Sequence, residues 1–318
     1  MGQGRVLLIF LDGVGIGPDD PKRNPFLSAR LPTLRSLLGR LPTLADPAPR
    51  TDAAAVLPLD ATLGFDGRPQ SGTGQTTLLT GLNAVRMFGR HFGPWTPVRL
   101  RPVLAETNIL RKAARAGLRV AFANAYPKGY PDGVKTRRVA APPLAALSAQ
   151  ALTRHAEHLR GGTAIASDIL NRRWKRHFGH SDLPDISAEE AGHNLAMIAA
   201  KADLTLFAHY ATDHAGHHGG LSEGAAALER VDSMLAGVLS SVDDETLVVI
   251  ASDHGNIEDA TGKHTRNPVM GVFIRGAGLG TLPEGRLKSI QDVAPYLLER
   301  LGAGGAPDPD RIGVMEPG

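Results

Sequence analysis

One stretch in the last third of the 318-residue chain constrains the fold more than any other. Residues 246–251, TLVVIA, form an apolar run typical of a strand buried on both faces. The run stops at Ser252, and Asp253-His254-Gly255-Asn256 follows. Open α/β sheets bind ligands at the carboxyl ends of their strands, and an aspartate beside a histidine offers a divalent metal one oxygen and one nitrogen ligand. A turn with a helix-capping aspartate is the alternative interpretation.

The same arrangement recurs near the start of the chain and again beyond residue 260. Asp12 follows the apolar run 5–11, RVLLIFL, and is followed by glycines that permit a tight turn. His264 stands just before a further predicted strand, 269–275. An ordinary turn residue is the alternative for Asp12. Taken together, the positions predict that these side chains meet the Asp253 cluster at one edge of the sheet.

A third cluster follows the predicted strand 203–210. Asp213 and His217 are four residues apart, so a loop or one helical turn could direct both side chains at one ion. His214 and His218 have the same spacing, and spacing alone does not exclude them.

Residues 71–81, SGTGQTTLLTG, predict a hydroxyl group at or just before a helix N-terminus. Unpaired backbone N–H groups and the helix dipole make such a position a good seat for a phosphoryl group. Ser71 is therefore a candidate nucleophile, provided that a metal lowers its pKa, and Thr73 is a candidate substrate-binding residue. A simple helix cap is the alternative. The stretch is not a Walker loop, because the lysine after the final glycine is missing.

Composition narrows the chemistry. The chain contains no cysteine, so a metal would be held by histidines and carboxylates. The formal net charge of +3 is small and the basic residues are scattered, which favours a small anionic substrate over nucleic acid. The apolar run of residues 6–11 is too short for a signal-peptide core, and no run reaches membrane-spanning length. We expect a cytoplasmic protein with neither a membrane nor a nucleic-acid partner, and leave its oligomeric state open.

Alternating apolar runs and helical periods predict an α/β protein with a mostly parallel central sheet sandwiched by helices. Residues 41–70 show no strong period and predict loops with one short strand at most. A further strand is predicted over 119–123. Helices are predicted over 32–40, 103–116, 187–201, 222–242 and 289–301.

Between residues 126 and 184 the alternation gives way to prolines, histidines and paired arginines. We therefore expect a catalytic core of residues 1–125 and 185–318 with a small inserted cap over 126–184. A run of arginines more often forms a solvated helix face than a site. The cap nevertheless holds three candidate substrate-binding residues, which are Arg137, Arg172 and Arg173.

The set of motifs resembles the alkaline phosphatase superfamily. It comprises DG at Asp12, SxxGQxxLLTG at Ser71, DxxGH at Asp213, DHGN at Asp253 and HTxNPV at His264, in that order. The DHGN and HTRNPV stretches look most like the branch of cofactor-independent phosphoglycerate mutases and phosphopentomutases. The opening DGVGIGPDD is also similar to the start of phosphopentomutases.

This resemblance implies an alkaline phosphatase-like fold and two divalent metal ions, with Mn²⁺ favoured over Zn²⁺ or Mg²⁺. It assigns Asp213, His217 and His264 to one ion, and Asp12, Asp253 and His254 to the other. Ser71 then bridges the ions as the nucleophile. Sulfatases share the Ser71-to-Gly81 spacing, but they require a modified residue followed by proline and arginine, which this chain lacks.

The implied reaction is phosphoryl transfer from a small phosphorylated substrate through a phosphoserine. We favour hydrolysis, because the mutases of this branch have larger insertions than the segment 126–184, and a small cap would protect a phosphoserine from water poorly. A phosphomutase of the phosphoglycerate or phosphopentose type is one alternative. A catalytically inactive metal- or phosphate-binding protein is another.

Overall fold

The computed structural model describes residues 4–131, 138–276, 282–283 and 285–304, and within them six strands form one sheet. The strands are β1 (Arg5–Leu11), β2 (Ala54–Leu59), β3 (Val120–Phe122), β4 (Leu204–His209), β5 (Thr246–Ala251) and β6 (Val269–Ile274). Their order across the sheet is β2-β6-β5-β1-β4-β3. Strand β6 runs antiparallel to β5 and β2, whereas the other neighbours pair in parallel. The predicted mostly parallel α/β sheet is confirmed.

Helices lie between consecutive strands, except between β5 and β6, and follow β6. They are α1 (Pro25–Ser28), α2 (Pro32–Leu38), α3 (Ser71–Thr80), α4 (Ala84–Phe88), α5 (Arg101–Thr107), α6 (Ile109–Arg115), α7 (Ala141–Ser148), α8 (Ala156–Arg160), α9 (Arg172–His177), α10 (Ala188–Ala199), α11 (Ala211–His218), α12 (Gly220–Leu239) and α13 (Val293–Arg300), with 3-10 turns at Val98–Leu100 and Ile290–Asp292.

One predicted helix is divided. Residues 103–116 were expected to form a single helix, but Asn108 has an extended backbone with ψ 158° and separates α5 from α6. Its side chain accepts a hydrogen bond from the backbone N–H of Arg111 at 3.0 Å. Asparagine competes with the helical backbone for hydrogen bonds in this way, which makes it a helix cap.

Both faces of the sheet are buried, as the continuous apolar runs predict. Alternate residues of β1 point to opposite faces, so Leu8 and Phe10 join one apolar cluster while Leu7 and Ile9 join the other. Helices α3, α5, α6, α7 and α13 supply the first cluster. Helices α2, α10 and α12 supply the second. The strands therefore lie between two helical layers, and the carboxyl ends of all but the antiparallel β6 lie at one edge of the sheet.

The segment expected to form a cap packs in two ways. Ala141, Ala145 and Ala146 of α7 belong to the first of the two apolar clusters and pack against α3 and α6. Residues around α8 and α9, including Leu159 and Trp174, form a separate small cluster. The division into core and cap stays a prediction, and Arg137 lies outside the described residues. No helix in the described part of the chain is long and apolar enough to cross a membrane.

Candidate metal centre

The loops at the carboxyl edge of the sheet bring four of the predicted ligands together. Asp12 follows β1, and Asp253 and His254 follow the neighbouring strand β5. Because β6 is antiparallel to β5, the beginning of β6 lies at the same edge, and His264 stands just before it.

Short helices add the remaining three side chains. Helix α11 starts two residues after β4 ends, and it carries Asp213 and His217 one turn apart. The sequence left this stretch open between a loop and one helical turn, and it is a helix of eight residues. Ser71 is the first residue of α3, so its hydroxyl lies at the N-terminus of that helix.

The ligand atoms fall into two overlapping sets that share Asp213, namely Asp213, His217 and His264, and Asp12, Asp213 and His254. Within each set the ligand atoms lie within 4.8 Å of one another. In the second set, His254 Nε2 lies 3.2 Å from Asp12 Oδ1 and 4.0 Å from Asp213 Oδ1. Asp253 Oδ2 approaches the same nitrogen at 3.7 Å. The first set has the residues predicted for one ion, whereas the second holds Asp12 and His254 of the other predicted site with Asp213 in place of Asp253, so the assignment of ligands to two ions stays a prediction.

The orientation of the His217 and His264 rings shows why the first set fits a metal. His217 Nδ1 lies 3.1 Å from the carbonyl oxygen of Gly262, and His264 Nδ1 lies 2.8 Å from that of Pro69. A carbonyl oxygen only accepts, so each Nδ1–H is the donor, and in a neutral ring the Nε2 lone pair then faces inward. These Nε2 atoms are 3.0 Å apart, and each lies 3.5 Å from Asp213. A cation placed between such lone pairs relieves their repulsion, and backbone carbonyls orient metal-bound histidines in this way.

Two buried carboxylate oxygens would also be stabilised by a cation. Asp12 Oδ1 and Asp253 Oδ2 are buried without a hydrogen-bond partner, although their other oxygens accept from Gln75 Nε2 at 3.0 Å and from the Gly13 N–H at 3.3 Å. An unpaired buried carboxylate oxygen is costly. The residues present therefore fit a second metal ion.

The pKa values at this edge reflect an excess of acids. Burial, and after it the charge of Asp12, raises the pKa of Asp253 to about 8. Burial also raises the pKa of Asp12. For His254, burial lowers the pKa, but the charges of Asp253 and Asp12 outweigh it and raise that pKa to about 10. The negative charge of the clustered carboxylates thus favours the protonated forms of these groups, and bound divalent cations would balance the same charge.

The two hydroxyl groups at the start of α3 have different surroundings. Ser71 Oγ lies 2.9 Å from His254 Nε2, inside the cluster, and the residue is only 3% exposed. Thr73 Oγ1 instead donates to the carbonyl oxygen of Gln70 at 3.3 Å and accepts from the Phe92 N–H at 3.2 Å. Of the two hydroxyl groups, that of Ser71 lies inside the ligand cluster, whereas that of Thr73 contacts the backbone at the start of α3, and the roles of both residues stay predictions.

A cleft of about 470 Å³ opens over Ser71, Asp213, His217 and His264. Two cationic residues that the sequence did not indicate, Arg68 and Lys263, also line it. Arg172 and Arg173 do not line this cleft, and the Arg173 N–H caps α9 by donating to Asp168. His214 and His218 are exposed and belong to neither ligand set.

Sequence reasoning missed the residues that hold the ligands. Gln75 is buried and joins Asp12 to the backbone N–H of Ala141. Asn256 Nδ2 donates to Asp213 Oδ1 at 2.7 Å. Glu258 is fully buried behind the loops. The asparagine belongs to the DHGN motif, so its position offered a signal, but the partners of all three became visible only in the fold.

Comparison with known proteins agrees with this geometry. Residues 183–304 match the family model of the metalloenzyme superfamily. The match covers somewhat more than a third of the chain and makes it similar to this superfamily. The matched part of the chain contains five of the seven predicted site residues, which are Asp213, His217, Asp253, His254 and His264.

Phosphoglycerate mutases are among the proteins similar to this chain in sequence. The 2,3-bisphosphoglycerate-independent phosphoglycerate mutase of Desulforudis audaxviator is 37% identical over 128 residues, which cover 37% of this chain and 25% of that protein. The match thus spans only about a quarter of the relative's length.

Solved structures share the fold at low identity. The PH0037 protein of Pyrococcus horikoshii aligns with a TM-score of 0.57 at 14% identity, over 96% of this chain and 98% of that one. The alkaline phosphatase of the Antarctic bacterium TAB5 aligns with a TM-score of 0.50 at 12% identity, over 96% and 100%. These likenesses confirm the alkaline phosphatase-like fold.

Proposed function

We propose that this chain is a two-metal-dependent phosphoryl-transfer enzyme that acts on a small phosphate ester with Ser71 as the nucleophile. The observation that carries the proposal is the pair of inward-facing nitrogens, His217 Nε2 and His264 Nε2, 3.0 Å apart beside Asp213. Such a pair at a sheet edge has little structural use, and Ser71 stands beside it at a helix N-terminus.

We assign Asp213, His217 and His264 to one ion and Asp12, Asp253 and His254 to the other, with Ser71 between them. Oxygen and nitrogen ligands without sulfur suit Mn²⁺ and Zn²⁺, with Mg²⁺ a further possibility, and the family resemblance favours Mn²⁺. When bound, divalent ions lower the pKa of a coordinated hydroxyl group and draw charge from phosphoryl oxygens.

The chain's own groups define the reaction. Ser71 Oγ attacks the phosphorus, an O–P bond to Ser71 forms, and the ester O–P bond opposite it breaks. The Ser71 hydroxyl proton is lost to solvent and the departing alkoxide gains one, so that an alcohol leaves. Water then attacks the phosphoserine, which releases inorganic phosphate and restores the hydroxyl group. Arg68 and Lys263, at the cleft wall, would contact the anionic substrate.

Hydrolysis is our preferred outcome, because the short segment over 126–184 would close the cleft less completely than a large insertion. The second candidate is a phosphomutase. It is favoured by the curated relatives, which are phosphoglycerate mutases over the aligned quarter of their length. We place the enzyme in the cytoplasm, acting on a small phosphorylated substrate and not on nucleic acid.

The test is an activity screen of metal-loaded protein over sugar phosphates, phosphoglycerates and small phosphodiesters. Free phosphate and positional isomers of each substrate are followed together. We expect free phosphate, with loss of activity after chelation or in Ser71→Ala. Isomers without free phosphate would establish the mutase instead. Turnover that survives both chelation and Ser71→Ala would refute the proposal.

A further inference from the structure

Glu258 is a buried carboxylate with no role in the reaction above. It is fully buried, and its side chain accepts four hydrogen bonds. Oε2 accepts from the backbone N–H groups of Gly15 at 2.9 Å and Asn256 at 2.7 Å. Oε1 accepts from Thr265 Oγ1 at 2.5 Å and Asn267 Nδ2 at 3.2 Å. Four donors satisfy a buried carboxylate without a cationic partner.

Each of those donors belongs to a segment that carries proposed metal ligands. Gly15 lies three residues after Asp12 on the loop that follows β1. Thr265 is the residue next to His264. One carboxylate therefore joins the loops after β1 and before β6.

Asn256 extends the connection to the third segment. It lies two residues after His254, and its side chain donates to Asp213 Oδ1 at 2.7 Å and to the Asp213 carbonyl oxygen at 3.1 Å. The hydrogen bonds of Glu258 and Asn256 therefore connect segments that carry residues of both ligand sets.

The packing around Glu258 leaves little freedom. A methyl group at Gly15 would lie 2.5 Å from Glu258 Oε1, and one at Gly255 would also collide with that oxygen. Two glycines thus allow the backbones of two ligand loops to close on the carboxylate.

We propose that Glu258 is a positioning residue that sets the spacing between the ligand loops and so determines metal affinity. This inference rests on the proposed metal centre. A carboxylate is needed because a glutamine would present an N–H₂ group, which has no lone pair, to two of the four donors. Loss of a group that hydrogen-bonds a metal ligand typically costs 10–100-fold in metal affinity, and Glu258 holds the backbone of one such group, Asn256, which donates to Asp213.

The test compares Mn²⁺ binding by calorimetry with the melting temperature of the chelated protein. For Glu258→Gln we expect the metal dissociation constant to rise by about 10–100-fold. The matched control is Asp232→Asn. Asp232 is equally buried and accepts from the backbone N–H groups of Thr33 and Leu34, at the contact of α12 with α2. The Asp232→Asn variant should have a lower melting temperature and an unchanged metal affinity.

A milder pair keeps the test valid if Glu258→Gln fails to fold. Thr265→Val removes one donor to the carboxylate, whereas Thr265→Ser keeps it. We expect weaker Mn²⁺ binding in the valine variant and wild-type binding in the serine variant. Equal metal affinity in wild type, Glu258→Gln and Thr265→Val would overturn the inference alone. Failure of the wild type to bind metal would overturn the proposed function.

Discussion

Metal binding should raise the stability of this protein by an amount that the two ligand sets allow us to estimate. Each ion at 100 times its dissociation constant stabilises the folded state by about 2.7 kcal/mol, so two ions contribute about 5 kcal/mol. A chain of 318 residues has an unfolding entropy of about 0.7 kcal/mol/K. We therefore expect the melting temperature to rise by about 8 °C between chelated and Mn²⁺-loaded protein.

Replacing one ligand should remove one half of that effect. We assign Asp253, which lies 3.7 Å from His254 Nε2, to the second ion alone, so Asp253→Asn should retain a shift of about 4 °C. The measurement is thermal unfolding of each variant with chelator and with metal, which cancels the change in baseline stability. Asp203→Asn is the control, because Asp203 pairs with Arg119 at the surface. No shift in the wild type with Mn²⁺, Zn²⁺ or Mg²⁺, or a full shift in Asp253→Asn, would refute the reasoning.

Three further predictions concern the cleft. Ser71→Ala should abolish phosphate release, whereas Thr73→Val should keep most of it, because the Thr73 hydroxyl contacts only backbone. The reverse result in steady-state assays would show that the nucleophile is misassigned. Arg68→Ala and Lys263→Ala should each raise KM by about 10-fold with little change in kcat, since each loses a charge-assisted contact of about 1.5 kcal/mol; an unchanged KM would place the substrate elsewhere. Metal affinity should fall as the pH is lowered, because the raised pKa of Asp253 means that binding must displace a proton; calorimetry in buffers of different ionisation enthalpy measures that release.

Much of the sheet could be predicted because its signal is local. The runs 5–11 and 246–251 are apolar throughout and end in Asp12 and Ser252-Asp253, so both the strands and the chemistry at their ends are visible in sequence. The four-residue spacing predicted that Asp213 and His217 face one ion, but it did not exclude His214 and His218, and only the family resemblance chose between them.

The parts that could not be predicted depend on contacts between distant segments. Glu258 has the appearance of any polar loop residue, and only the approach of the loops after β1 and before β6 buries it. Gln75 looks like a helix residue until the fold sets it against Asp12. Arg68 and Lys263 belong to no recognisable motif, and tertiary structure alone brings them to one cleft.

The most direct test of the central claim is to identify the phosphorylated residue after rapid acid quench. Metal-loaded protein is mixed with excess phosphate ester, quenched within the first turnovers, digested and analysed by mass spectrometry. The account predicts one phosphoryl group on the peptide that contains Ser71, localised to Ser71 by fragmentation and missing from the chelated protein. Turnover accompanied by a phosphoryl group on another residue, or by none at any quench time, would contradict it.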